Sequence, residues 1–104
     1  MKSFRAMPYR YTVHVTSDTA EMDAAYAAAG GQGKHDWQAG AVWCSGGNVY
    51  LGVFDGKLGT LAHEAAHAAL DISNRIGYDP TDEQEPFAYL LEYIFVKARK
   101  KLGL

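Results

Sequence analysis

His63, Glu64 and His67 make up a His-Glu-x-x-His run, with Ala65 and Ala66 between the histidines. On a helix, residues four apart share a face, with Cβ atoms about 5–6 Å apart. That spacing lets two imidazoles reach one ion at the Zn–N distance of about 2.0–2.1 Å. Glu64 projects beside such an ion rather than onto it. A carboxylate there can take a proton from metal-bound water, whose pKa zinc lowers to about 7. The ion also polarises a carbonyl, so the chemistry these residue types suit is hydrolysis of a peptide-like bond. The competing reading is two helical histidines flanking a solvated glutamate. Against it stand Ala62, Ala65, Ala66, Ala68 and Ala69, which imply a buried helix. Buried imidazoles and a carboxylate within one turn are costly unless something pairs them.

A catalytic zinc site takes three protein ligands and keeps one open position. The third ligand is expected beyond Gly77, where Asp79, Asp82, Glu83 and Glu85 cluster as the chain returns. Glu83 points nearer the core face by helical phase. An acid at a helix start is also favoured by the macrodipole alone. The other histidines are His14 and His35. His14 is expected on the polar face of a strand, exposed, and His35 in a glycine-rich loop, solvated. Asp71 lies four residues after His67. It either orients that imidazole from behind or is a solvated helix carboxylate.

The elements that must position these groups follow from periodicity. Tyr9, Tyr11, Val13 and Val15 alternate with Arg10, Thr12, His14 and Thr16, the pattern of a half-buried strand. Asp18 and Glu21 have the form of a capping box for a helix carrying Met22, Ala25, Tyr26 and Ala29. Gly30 and Gly31 stop it, and residues 30–38 read as a mobile loop. Ala39 to Cys44 and Val49 to Phe54 are two strands joined through Gly46-Gly47, a hairpin signal because primed turns need positive φ. This register sets Cys44 opposite Val49, Val42 opposite Leu51, and Trp43 opposite Tyr50 as a cross-strand aromatic pair. Thr60 is the expected N-cap of a helix from about Leu61 to Ile76 that closes at Gly77. The last helix is expected from Asp82, with Glu85 in a second capping box, to about Leu102. Phe87, Leu90, Leu91, Ile94, Phe95 and Ala98 give its core face, and Pro86 falls in the first turn, where it costs least.

Composition bounds the rest. At 104 residues, 48% hydrophobic and 21% charged, the chain suits one globular domain spanning residues 1–104. A net charge of -2 excludes the basic footprint of a nucleic-acid binder. Lys97, Arg99, Lys100 and Lys101 are basic but suit a helix C-terminus. The single cysteine, Cys44, excludes an intrachain disulfide and a cysteine-based zinc site, and reads as a small buried hydrophobe. Met1 to Pro8 has no apolar segment of a signal peptide, and no stretch is long enough to span a bilayer. The expected setting is therefore the cytoplasm, with no membrane and no nucleic-acid partner.

Two stretches together resemble a known family. Gly59-Thr60-Leu61-Ala62-His63-Glu64-Ala65-Ala66-His67-Ala68-Ala69-Leu70, followed by Glu85-Pro86-Phe87-Ala88-Tyr89-Leu90-Leu91, is similar to a minimal zincin of the gluzincin type. It also resembles small His-Glu-x-x-His proteins encoded by phages and prophages. The likeness covers roughly residues 39–95. It implies a zinc metallopeptidase with His63 and His67 as ligands, Glu64 as general base and Glu85 as third ligand, since Pro86 after Glu85 favours it over Glu83. The thermolysin-like pattern has an aspartate four residues after the ligand glutamate, where this chain has Tyr89. Tyr89 is expected on the face of Glu85, able to donate to an oxyanion or a ligand carboxylate. The fold implied is α+β, a small, mainly antiparallel sheet packed on the metal helix with the C-terminal helix behind it. In that architecture an edge strand, Val49 to Phe54 or its hairpin partner, holds a peptide or protein substrate in extended form. The chain is far shorter than most such peptidases. The alternative is a phage-type binding module with structural zinc that acts on a host protein, and a third possibility is a metal-free helical interaction domain.

Overall fold

A computed structural model describes residues 1–33 and 35–104. Seven elements follow in chain order: β1 (Lys2–Arg5), β2 (Thr12–Thr16), α1 (Thr19–Ala28), β3 (Gly40–Ser45), β4 (Asn48–Val53), α2 (Leu58–Ile76) and α3 (Gln84–Leu102). The fold is a small α+β domain built on one four-stranded sheet of order β1-β2-β4-β3.

The period-two patterns decide which face of the sheet is buried. Val13 and Val15 from β2 and Val49, Leu51 and Val53 from β4 are fully buried against Leu61, Ala65, Ala68, Ala69 and Ile72 of α2. Leu90, Ile94 and Ala98 of α3 join the same cluster. Small residues let α2 approach the sheet closely, so its alanines contribute by proximity rather than by area. The opposite face of the sheet is covered by α1 through Met22, whose sulfur lies 3.1 Å from Trp43 Nε1.

The hairpin has the expected register, with Cys44 opposite Val49, Val42 opposite Leu51 and Trp43 opposite Tyr50. Gly46, at φ 57°, supplies the positive φ of its turn. The Trp43 and Tyr50 rings stack at 4.0 Å, and His14 continues the row on Tyr50 at 4.8 Å.

Several expectations are corrected. The sheet is mainly antiparallel as expected, through β1·β2 and β3·β4, but β2 pairs with β4 in parallel, which makes it mixed. Residues Lys2–Arg5 form a strand of their own, pairing along β2. β4 is therefore interior, and of the two hairpin strands only β3 has a free edge. Helix α2 begins at Leu58 with Lys57 as N-cap, three residues before Leu61. Thr60 does not cap it, because its hydroxyl donates to Asp55 Oδ2 at 2.6 Å. At α1, Asp18 accepts from the Ala20 N–H, but Glu21 does not close a capping box: it accepts from the Thr16 hydroxyl and pairs with the N-terminal amine. Helix α3 begins at Gln84, and its N-cap Glu83 makes no side-chain cap bond, so the second capping box is missing too. No helix among the described residues is long and apolar enough to cross a membrane.

Candidate metal centre and cleft

Helix α2 turns Ala65, Ala68 and Ala69 inward, whereas Ala66 is half-buried and Ala62 is exposed. His63 and His67 are exposed as well, which corrects the expectation of buried imidazoles, because both rings lie on the helix face turned away from the sheet. The side chain of His63 is 70% exposed, whereas that of Glu64, one residue on, is 8% exposed. This contrast follows from the 100° step between neighbours on a helix: Glu64 lies on the flank that meets β3, and the imidazoles stand clear of it. The backbone of β3 approaches that flank closely at Gly40. A Cβ there would lie 2.9 Å from Glu64 Cγ, 2.8 Å from Thr60 Cγ2 and 2.9 Å from the Gly52 carbonyl oxygen.

His63 Nε2 and His67 Nε2 are 3.2 Å apart, with their rings edge to face at 4.8 Å. Glu64 Oε1 lies 4.0 Å from His63 Nε2. One ligating atom from each of the three residues falls within 4.8 Å of the other two. Two imidazole nitrogens bound tetrahedrally to one zinc at about 2.05 Å would be about 3.3 Å apart, so the separation of this pair is compatible with such an ion. The same separation suits an N–H···N hydrogen bond between neutral rings. Glu64 Oε2 is buried and has no hydrogen-bond partner among the described residues.

Burial raises the Glu64 carboxyl above its ordinary value of 4.5, and the two imidazoles pull it partly back. The folded state therefore holds this proton more tightly than the unfolded chain does. The stability it contributes is complete below about pH 4.5 and is lost as pH rises through the elevated value. In metal-free protein, the Tm of Glu64→Gln relative to wild type is expected to be higher at pH 8 than at pH 4. Thermal melts in chelator across that range check this; a gap independent of pH would refute the burial cost.

A cleft of about 590 Å³ opens beside the cluster. One wall is Gly59, Thr60, His63 and Glu64; the other is the run from Asp36 to Ala41. Asp36, Trp37 and Gln38 of this second wall fall within residues 30–38, the stretch expected to be a mobile loop, of which Lys34 lies outside the described residues. Instead, Trp37 donates its indole N–H to Asp23 at 2.6 Å and packs edge to face on Tyr26, which ties the run to α1. His35 is exposed as expected and stacks on Trp37.

The remaining sequence candidates lie elsewhere. Glu83 and Glu85 are exposed at the start of α3 and are not part of the His63–Glu64–His67 cluster. Tyr89 is 67% exposed. It lines a separate groove with Met7, Pro8, Tyr9 and Tyr93. His14 is half-buried rather than exposed, with Nε2 2.8 Å from Asn48 Oδ1. Asp71 lies 3.7 Å from the Cys44 sulfur, whose thiol burial pushes up, so Asp71 serves Cys44 rather than His67. Sequence reasoning missed Asp36 and Gln38. The only local signal was a carboxylate and an amide beside Trp37, within a stretch whose glycines argued for mobility.

No protein-family model matches this chain, and neither does any curated protein or solved structure it was compared with.

Proposed function

We propose that the chain is a zinc-dependent hydrolase of peptide bonds. The observation carrying this reading is the pair of Nε2 atoms 3.2 Å apart beside a buried carboxylate with an unpartnered oxygen. His63 and His67 would hold the ion. In the zincin-like scheme Glu85 would complete its protein ligands, which requires the start of α3 to approach the exposed imidazoles. A bound zinc supplies Lewis acidity and makes water nucleophilic near neutral pH.

The chain's own residues account for the remaining steps. Glu64, raised by burial, accepts the proton of the attacking water and passes it to the departing amine. The free edge of β3 offers main-chain donors and acceptors to an extended peptide, and Gly40 and Ala41 of that strand line the cleft. A substrate laid along β3 would thus run past Gly40, where even an added Cβ would meet the Glu64 side chain.

The test is a mixed peptide library incubated with zinc-loaded protein, with and without chelator. Cleavage that chelator abolishes is expected. His63→Ala and His67→Ala should each lose stoichiometric zinc by elemental analysis, along with that cleavage. A second reading, a binding module with structural zinc, draws on the exposure of the imidazoles and on a third acid standing outside the cluster. It predicts chelator-induced unfolding and no cleavage in either condition.

A further inference from the structure

Attack on an amide carbonyl moves the C=O π electrons onto oxygen, and a preorganised donor aimed at that oxygen lowers the barrier. The Tyr89 hydroxyl, which the sequence suggests for this task, lines another groove. Within the cleft most polar side chains are committed or unsuited. The Trp37 N–H is given to Asp23 and the Thr60 hydroxyl to Asp55. The Asp36 carboxylate only accepts. That leaves Gln38, whose carboxamide carries two N–H donors and makes no hydrogen bond to any described residue.

Gln38 is also the one non-glycine among the described residues with positive φ, at 53°. Residues held in that region cluster at functional sites, where surrounding structure over-determines them. Here the constraint is visible. Asp36 Oδ1 accepts the Gln38 N–H at 3.0 Å, and Trp37 between them is pinned to Asp23 and Tyr26 of α1. A helix on the far face of the sheet thereby holds the backbone of Gln38, an exposed residue at the wall opposite His63 and Glu64.

We propose that Gln38 is a catalytic residue that donates a hydrogen bond to the substrate carbonyl oxygen as it becomes an oxyanion; this rests on the hydrolase reading. The step balances without a proton from Gln38. The water's O–H breaks as its oxygen bonds to carbon, and that proton goes to Glu64. The oxyanion then re-forms C=O as the C–N bond breaks, and the proton passes from Glu64 to nitrogen.

The experiment uses a peptide cleaved by the zinc-loaded chain and compares wild type with Gln38→Gly, Gln38→Glu and Gln38→Asn. Glycine tolerates positive φ, so Gln38→Gly should fold and bind zinc as wild type does. Its kcat should fall about 10²–10³-fold with KM changed less than about threefold. Gln38→Glu, similar in shape but lacking donors when ionised, should fall at least as far. Gln38→Asn, which keeps a carboxamide and tolerates this φ, should recover about tenfold over glycine. A phosphinic peptide, which mimics the tetrahedral state, should bind Gln38→Gly at least about tenfold more weakly than wild type. Gln38→Gly retaining kcat within about threefold, or the loss appearing in Tyr89→Phe instead, overturns this role alone. Absence of any chelator-sensitive cleavage by wild type overturns the hydrolase reading and this role with it.

Discussion

Replacing Glu64 with glutamine is expected to leave one zinc bound per chain and to lower kcat for peptide cleavage by about 10²–10⁴-fold. The substitution keeps volume and shape, so the packing of Gly40 against the Glu64 stem is preserved. What it removes is the proton acceptor beside the imidazole pair. An amide cannot take the water's proton at neutral pH, and it has none to return to the leaving amine. Zinc should remain because Glu64 is not among the residues assigned as ligands. Its Oε1 lies 4.0 Å from His63 Nε2, the nitrogen proposed to hold the ion. Zinc stoichiometry and initial rates on one peptide decide the matter. Hydrolysis surviving this change would end the enzyme reading, and loss of zinc would instead make Glu64 a ligand.

The second large effect is expected at Gly40. A methyl group added there meets three atoms at 2.8–2.9 Å, and they cannot all withdraw. The Gly52 oxygen belongs to β4, the neighbour of β3 in the ladder, so moving it breaks strand pairing. Thr60 Cγ2 is held by the hydroxyl's bond to Asp55. Glu64 Cγ can move, but only by displacing the carboxylate. Gly40→Ala should therefore cost about 1–3 kcal/mol, roughly 5 °C in Tm for each kcal/mol in a domain of this size. Cleavage should fall further than the folded fraction does. Denaturant melts paired with rates measured well below Tm check both parts. A variant within 0.5 kcal/mol of wild type with normal rates would show that β3 does not press on the base.

How much of this was legible in the sequence depends on the range of the forces involved. The β3–β4 register follows from alternation and a Gly-Gly turn, both local, and it was readable to the residue. The inward positions of Ala65, Ala68 and Ala69 and the end of α2 at Gly77, in the left-handed conformation, were equally plain, but the exposure of Ala62 and of both histidines was not. The start of α2 was not, because Lys57, Leu58 and Gly59 present no capping side chain and Gly59 imitates a turn. β1 carries one large apolar residue, Phe4, so its pairing with β2 has no periodic signal. The parallel contact of β2 with β4 joins segments more than thirty residues apart, and nothing in either strand announces the partner. At the candidate site, the His-Glu-x-x-His geometry came from helix spacing alone. The opposite wall was hidden because long-range contacts from Asp23 and Tyr26 hold it in place, in a stretch whose composition suggests freedom.

The two tryptophans fall on either side of this division and make the domain optically self-reporting. Trp37 stands in the cleft wall, so its emission should respond when a ligand excludes water there. Trp43 rests against the Met22 sulfur beneath α1, so its emission follows the docking of that helix. Phenylalanine at one position isolates the other fluorophore, and the titration of the cleft can then be followed separately from the melting of the scaffold.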